Sequence, residues 1–196
     1  MELLDVNRSV LVVIDFQGKL VDIVARPKMV LAATVRLLKL AELFRVPVIL
    51  TEQYPQGIGP THPDVRAAFD ALSAPARLVT KTSFGCCGEP SFIDALAASR
   101  PDVPPGRRQI VVAGIEAHVC VIQTVLELLA GGEQVHLVWD AVSARGEEYR
   151  RHALERMAAA GAVVTNHESV GFEWARDKND PSFKAMSALL KEGQPG

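Results

Sequence analysis

The segment that decides the fold is Arg107–Gly132, RRQIVVAGIEAHVCVIQTVLELLAGG. Its β-branched start, residues 110–113, has the length and composition of one buried strand. Gly114 interrupts this pattern. From about Ala117 the apolar residues recur at three- and four-residue steps until two glycines, which are typical of a helix end. The segment therefore predicts a strand, a tight turn and a helix, with Cys120 in or just before the first helical turn.

Cys120 is the cysteine that this arrangement favours as a nucleophile. A thiol at the start of a helix lies near unpaired backbone N–H groups and the positive end of the helix dipole, and both favour the thiolate. The alternative is that Cys120 packs in the core as a small hydrophobic residue, which is common for free cysteine. The other strands are needed to decide between these two interpretations.

The composition predicts one intracellular globular domain. The 196 residues are 48% hydrophobic with a net charge of −2, which allows a sizeable core and gives no reason to expect nucleic acid or a membrane surface as a partner. We find no secretory leader in MELLDVNRSV and no transmembrane segment. Three cysteines, an odd number, indicate reduced thiols. We therefore expect a cytoplasmic protein with a single domain over residues 1–196.

The whole chain alternates strand-like and helix-like segments. Strands are predicted over residues 10–14, 47–51, 76–80, 110–113, 134–139 and 162–165. Helices are predicted over residues 29–44, 64–72, 90–98, 117–130, 147–160 and 181–191, with an irregular stretch before the last one. This alternation is typical of a parallel sheet with helices on both faces. We predict a three-layer α/β fold with a six-stranded parallel sheet in the Rossmann-like order 3-2-1-4-5-6.

Two of the predicted helices carry strongly apolar runs. These are Leu37, Leu38 and Leu40 on the first long helix, and Val125, Leu126, Leu128 and Leu129 on the central one. One face of a sheet does not bury all sides of such helices, and exposed apolar surface of this size marks contacts between proteins. We therefore expect a homo-oligomer.

Three chemically useful side chains follow three of the predicted strands. Asp15 follows the first strand, Lys81 the third and Cys120 the fourth. Because ligands bind outside the carboxyl ends of parallel strands, where the strand order reverses, these side chains can converge on one crevice. There the carboxylate can accept the thiol proton, and the ammonium favours the thiolate. We expect Lys81 and the helix dipole to outweigh Asp15, so that the pKa of Cys120 falls below that of Cys86 and Cys87.

The residues around these positions resemble the signatures of the isochorismatase-like cysteine hydrolases. The matching motifs are VVIDFQ around Asp15, KTSF beginning at Lys81 and GIEAHVCV around Cys120, and they match in order and spacing across essentially the whole chain. The segment TEQYPQGIGPT, residues 51–61, is similar to the branch of isochorismatase domain-containing proteins, whose substrates are poorly defined. The resemblance implies a catalytic triad of Asp15, Lys81 and Cys120.

The same resemblance implies further details of the site. It places a non-proline cis peptide between Ile115 and Glu116, and an oxyanion hole on the backbone N–H groups of Glu116 and Cys120. Nicotinamidases in the family hold a metal with an Asp-x-His pattern after the second strand, where this chain has Thr51-Glu52-Gln53. We therefore expect no metal and no other cofactor. Isochorismatases cleave a vinyl ether without a cysteine nucleophile, so the presence of Cys120 argues against that reaction.

Six further side chains lie close to the predicted strand ends and are candidates for contacting a small-molecule substrate: Phe16, Gln17, Gln53, Tyr54, Phe84 and His118. We expect the phenylalanines and the tyrosine to line a small apolar pocket. The two glutamines either bind substrate or cap local backbone. His118 packs or lines the pocket, because the family pattern gives the general-base role to Asp15.

Three functions are compatible with these residues. The first is hydrolysis of a small amide or related acyl compound through a thioester on Cys120. The second is a non-catalytic binding or scaffold protein that retains the fold. The third is thiol redox chemistry of the three cysteines, which the absence of a CxxC spacing disfavours. We favour the hydrolase because Asp15 and Lys81 are both present beside Cys120.

Overall fold

Six parallel strands form the centre of the computed structural model, which describes residues 2–192 of the chain. In chain order they are β1 (Ser9–Ile14), β2 (Val48–Gln53), β3 (Ala76–Lys81), β4 (Gln109–Ile115), β5 (Gln134–Ser143) and β6 (Val163–Thr165). They pair in the order β3-β2-β1-β4-β5-β6, which confirms the predicted topology. Residue 1 and residues 193–196 of the predicted domain lie outside the described residues.

Helices cover both faces of this sheet. They are α1 (Gly18–Ile23), α2 (Pro27–Leu43), α3 (Pro55–Ile58), α4 (Pro63–Asp70), α5 (Pro90–Ser99), α6 (Ile122–Ala130), α7 (Glu147–Ala159), α8 (His167–Ala175) and α9 (Phe183–Lys191). One apolar core lies between the sheet and α2, α4, α8 and α9, and a second lies between the sheet and α5, α6 and α7. Every residue of β1, β2 and β4 is buried, as expected for central parallel strands. Within the described residues, no helix has the length and apolar character needed to cross a membrane.

Helix α8 packs against α2 and against strand β5. The sequence predicts an irregular stretch here, and this prediction was wrong over residues 167–175. Gly171 allows the two helices to approach, since a Cβ at this position would lie 3.3 Å from a methyl carbon of Leu40. Leu37, Leu38 and Leu40 are consequently fully buried within one chain. These leucines therefore do not require a second subunit, and that part of the reasoning for an oligomer was wrong.

Gly114 allows β4 to run unusually close to β1. It pairs with Ile14 in the register of the two strands, and its φ is 149°. A Cβ at Gly114 would lie 2.6 Å from the carbonyl oxygen of Ile14 and 2.9 Å from its backbone nitrogen. This is the point at which the residues following the two strands, Asp15 and the turn that carries Cys120, are brought together.

We predict that Gly114→Ala destabilises the protein by about 3 kcal/mol, because a positive φ costs an L residue roughly 1 kcal/mol and the added methyl group overlaps backbone atoms. Gly161→Ala is the matched control, since Gly161 has a φ of 113° but no atom within 4 Å of an added Cβ. Urea unfolding of both variants measures the difference. Equal destabilisation would contradict the close-approach explanation.

Candidate active site

The carboxyl ends of the central strands carry a buried cluster of one carboxylate, one ammonium and one thiol. Lys81 Nζ donates to Asp15 Oδ2 at 2.7 Å, and the two side chains are 0% and 1% exposed. The thiol of Cys120 lies beside the same carboxylate, whose negative charge raises the pKa of the thiol, and Cys120 is 6% exposed. The structure thus brings together the three residues that the sequence predicts for the site.

Asp15 is held by the neighbouring strand β2. Thr51 Oγ1 donates to Asp15 Oδ1 at 2.6 Å, and the backbone N–H of Asp15 donates to the carbonyl oxygen of Thr51 at 3.2 Å. Thr51 is itself fully buried. Because each carboxylate oxygen has its own donor, Oδ1 from Thr51 and Oδ2 from Lys81, the orientation of the carboxylate is fixed.

The Lys81 ammonium is surrounded by oxygen atoms. Besides Asp15, it donates to Gln53 Oε1 at 2.7 Å and to the carbonyl oxygens of Ser83 and Phe84 at 3.2 and 3.1 Å. A buried ammonium without such partners would be strongly unfavourable. The loop that follows β3 therefore folds back over Lys81 and is part of the cluster.

Gln17 and Gln53 bind the protein itself. Gln17 Oε1 accepts from the backbone N–H of Gln53 at 2.7 Å, and Gln17 Nε2 donates to the carbonyl oxygens of Gln53 and Gly59 at 3.0 and 2.6 Å. Gln53 Nε2 donates to the carbonyl oxygen of Thr82 at 2.7 Å. Of the two roles left open by the sequence, the structure therefore shows backbone capping, with Gln53 also orienting Lys81.

The four other substrate-contact candidates occupy different environments. Phe16 is fully buried in the core on the α2 side of the sheet, so it does not line a pocket, and that prediction was wrong. Tyr54 and Phe84 are both more than half exposed on the loops after β2 and β3. His118 stacks on Tyr149 with 4.8 Å between ring centroids. Tyr54, Phe84 and His118 thus remain available to a ligand.

Cys120 lies on a π-helical turn, Ala117–Val121, that precedes α6. Burial raises the pKa of its thiol, the negative charge of Asp15 raises it further, and the positive charge of Lys81 lowers it less. Burial also raises the pKa of Cys86 and of Cys87, in each case to about 12. The expectation that the pKa of Cys120 falls below that of the other two was wrong, because burial outweighs the nearby ammonium.

Glu116 follows β4, and the peptide bond between Ile115 and Glu116 is cis. Its carboxylate accepts three hydrogen bonds from Arg145: from the backbone N–H at 3.1 Å, from Nε at 2.9 Å and from Nη2 at 2.6 Å. Burial raises the pKa of Glu116, but these hydrogen bonds and the charge of Arg145 outweigh it and hold the pKa below its usual value. Arg145 thereby fixes the residue whose backbone N–H the resemblance assigns to the oxyanion hole.

The side chains of Thr51, Glu52 and Gln53 all form hydrogen bonds with other residues of the chain. Glu52 Oε1 accepts from the backbone N–H and the hydroxyl of Thr61 at 2.8 and 2.7 Å, which ties the loop after β2 to the strand. Among residues 2–192, no group of three or more His, Cys, Asp or Glu side chains is placed to hold a metal ion.

Two residues that matter for the site were missed in the sequence. Thr51 orients Asp15, and Arg145 orients Glu116 from 29 positions further along the chain. The only signal for Thr51 is its position one strand over from Asp15 in a parallel sheet. No pattern in the sequence indicates the role of Arg145, because an arginine in a loop before a helix is most often a solvated residue.

Comparison with known proteins identifies the class of protein. Residues 9–169 match the Isochorismatase domain, so the chain belongs to the isochorismatase-like hydrolase family. Isochorismatase domain-containing protein 2 from Macaca fascicularis is 38% identical over 187 residues, 95% of this chain and 85% of that protein. These findings confirm the resemblance stated from the sequence.

Two solved structures show the same fold over nearly the whole chain. The MAR1 ribonuclease from Caenorhabditis elegans matches with a TM-score of 0.87 and 32% identity, covering 100% of this chain and 95% of that one. YcaC from Escherichia coli, described as an octameric hydrolase of unknown specificity, matches with a TM-score of 0.85 and 27% identity, covering 97% and 90%.

The lowered pKa of Glu116 makes its contribution to stability dependent on pH. A carboxyl group whose pKa is lower in the folded than in the unfolded protein stabilises the fold above the unfolded pKa, and this contribution is lost as the pH falls toward the folded pKa. We expect Glu116→Gln to lower the free energy of unfolding by about 1 kcal/mol at pH 7, since Arg145 is half exposed and its attraction is screened. The difference from the wild type should shrink below about pH 4.5, the usual value for the group.

Thermal or urea unfolding between pH 3 and pH 7 measures this effect. Glu155→Gln is the matched control, because Glu155 forms an exposed pair with Arg151 at 2.8 Å and should contribute little. A stability difference for Glu116→Gln that stays constant over this pH range would contradict the assignment.

Proposed function

We propose that the protein is a cysteine-dependent hydrolase of a small amide or related acyl compound, with Cys120 as the nucleophile and Asp15 as the proton acceptor. The observation that carries the proposal is the buried cluster in which Asp15 contacts both the thiol of Cys120 and the ammonium of Lys81. A nucleophile, a base within hydrogen-bond reach and a third group that orients the base are the parts that covalent catalysis requires. Membership of a hydrolase family supports the reaction class.

The first half of the reaction forms a thioester. Cys120 Sγ attacks the carbonyl carbon of the substrate, and the thiol proton passes to Asp15 as the C–S bond forms. The backbone N–H groups of Glu116 and Cys120 would bind the oxyanion. When the tetrahedral intermediate collapses, the C–N bond breaks, and the proton moves from Asp15 to the leaving amine.

The second half releases the acid. A water molecule attacks the thioester carbonyl and gives a proton to Asp15. The C–S bond then breaks, and the thiolate of Cys120 takes that proton back, which restores the starting state. Lys81 stays beside Asp15 throughout and keeps the carboxylate in place for each transfer.

The closed surroundings of the cluster favour a small substrate. Asp15 and Lys81 are each 1% exposed, and Cys120 is 6% exposed. The exposed side chains of Tyr54 and Phe84, and His118 beside the turn, would contact the non-reacting part of the substrate. An apolar rim around a polar centre is typical of small-molecule sites.

RNA is the alternative substrate that the Caenorhabditis elegans relative raises. A polymer would have to reach reacting groups that are almost fully buried in this chain. The net charge of −2 also gives no general attraction for phosphates. We therefore rank a small acyl substrate first.

A screen of small amides for ammonia release tests the proposal. We expect Cys120→Ala to lower turnover by at least about 10³-fold, because the nucleophile and its covalent intermediate are lost together. Cys87→Ala is the matched control, because Cys87 is a half-buried thiol outside the cluster and its loss should leave turnover unchanged. Mass spectrometry should show the acyl group on Cys120. Turnover that survives Cys120→Ala, or RNA cleavage without amide turnover, would rule out this reaction.

We further propose a homo-oligomer in a reducing, cytoplasmic compartment. The octameric YcaC supports assembly, and the half-exposed apolar side chains of Ile23, Tyr149 and Phe172 offer contact area. The three free cysteines agree with the compartment. Light scattering at micromolar concentration should give a multiple of the chain mass, and the mass of one chain would refute assembly.

A further inference from the structure

The loop of residues 82–88 determines where the Lys81 ammonium lies. Its carbonyl groups at Ser83 and Phe84 accept from Lys81 Nζ at 3.2 and 3.1 Å. Ser83 Oγ donates to the carbonyl oxygen of Gly85 at 2.9 Å, which stiffens the loop from within. A shift of this loop would therefore move two of the four acceptors of Lys81.

Helix α6 holds this loop from outside. The backbone N–H of Cys86 donates to Thr124 Oγ1 at 3.0 Å, and the backbone N–H of Cys87 donates to the Glu127 carboxylate at 3.2 Å. Gly85 makes room for this carboxylate, since a Cβ there would lie 2.4 Å from both carboxylate oxygens. The loop is thus anchored at two successive residues to one face of α6.

Thr124 also binds the turn that carries the nucleophile. Its hydroxyl donates to the carbonyl oxygen of Cys120 at 2.8 Å, and Thr124 is fully buried. A threonine in a helix often donates to the carbonyl four residues earlier. The second hydrogen bond, from Cys86, comes from 38 positions away and lies outside that local pattern. One hydroxyl therefore uses its donor toward Cys120 and accepts a hydrogen bond from the loop that closes over Lys81.

We propose that Thr124 is a positioning residue that fixes the thiol of Cys120 relative to the pair of Lys81 and Asp15. This inference rests on the proposed hydrolase function, whereas the hydrogen bonds of Thr124 are observed independently of that function. Thr124 acts through the backbone of Cys86 and Cys120 and touches no substrate. A displacement of about 1 Å between reacting groups can cost on the order of 100-fold in rate, so a hydroxyl that joins both halves of the site has a large effect.

The test compares Thr124→Val, which has the same shape without the hydroxyl, with Thr124→Ser, which keeps it. On an amide from the screen, we expect Thr124→Val to lower kcat by about 10- to 100-fold with little change in KM, because substrate binding is not altered. Thr124→Ser should stay within a few-fold of the wild type. Thr34→Val is the matched control, because Thr34 is fully buried on α2 and its hydroxyl has no hydrogen-bond partner among residues 2–192.

A second readout does not depend on hydrolysis. The rate at which iodoacetamide alkylates Cys120, followed against pH by peptide mass, reports how well Lys81 stabilises the thiolate. In Thr124→Val this profile should move to higher pH, whereas Thr124→Ser and Thr34→Val should leave it in place. Should Thr124→Val fold poorly, Glu127→Ala loosens the same loop from an exposed position and should give the same shift in smaller measure.

The outcomes separate the two hypotheses. A wild type without amide turnover, together with a shifted alkylation profile in Thr124→Val, would overturn the hydrolase proposal and leave the positioning role standing. Wild-type kcat and an unshifted profile in Thr124→Val would overturn the positioning role. Equal losses in Thr124→Val and Thr124→Ser would do so as well, because the hydroxyl would then not be the group that matters.

Discussion

The buried ion pair between Asp15 and Lys81 is the interaction on which the rest of the site depends. Taking two charges out of water costs several kcal/mol per ion, and their attraction repays this only when the remaining donors and acceptors are also satisfied. Here the additional partners come from two further places: Thr51 and Gln53 at the end of β2, and the loop that follows β3. The strand order and register are therefore requirements of this pair, because a shift by one residue would leave a charge unpaired in the core.

The charges of the cluster explain why a thiol with a raised pKa suits the site. At rest the carboxylate and the ammonium cancel, and the thiol of Cys120 is neutral. In the proposed mechanism, the proton moves from sulfur to Asp15, and the thiolate then takes the place of the carboxylate as the partner of the ammonium. The total charge is zero before and after the transfer, so the core never holds a net charge.

Much of this could be predicted from the sequence because it depends on periodicity. Buried parallel strands read as continuous apolar runs, and the residue after each run lies at the carboxyl edge of the sheet. This logic located Asp15, Lys81 and Cys120. It did not locate α8, whose exposed Phe172 and fully buried Val170 do not form a clean amphipathic stripe.

The remaining features depend on contacts between distant residues, which a single sequence does not encode. The hydroxyl of Thr124 meets the backbone of Cys86, and Arg145 meets Glu116, without any pattern in the intervening residues. The prediction that the pKa of Cys120 is lowered was wrong for a related reason. The pKa shift depends on the depth of burial, which outweighs a helix terminus and a nearby ammonium.

The enclosure of Cys120 limits which molecules reach its thiol. Only 6% of Cys120 is exposed to solvent, so electrophiles and peroxides reach its thiol more slowly than they reach an exposed cysteine. In the proposed reaction, a molecule would have to be narrow enough to place its carbonyl group against the sulfur. Under that proposal, the same closed packing would both protect the nucleophile and select substrates by their shape.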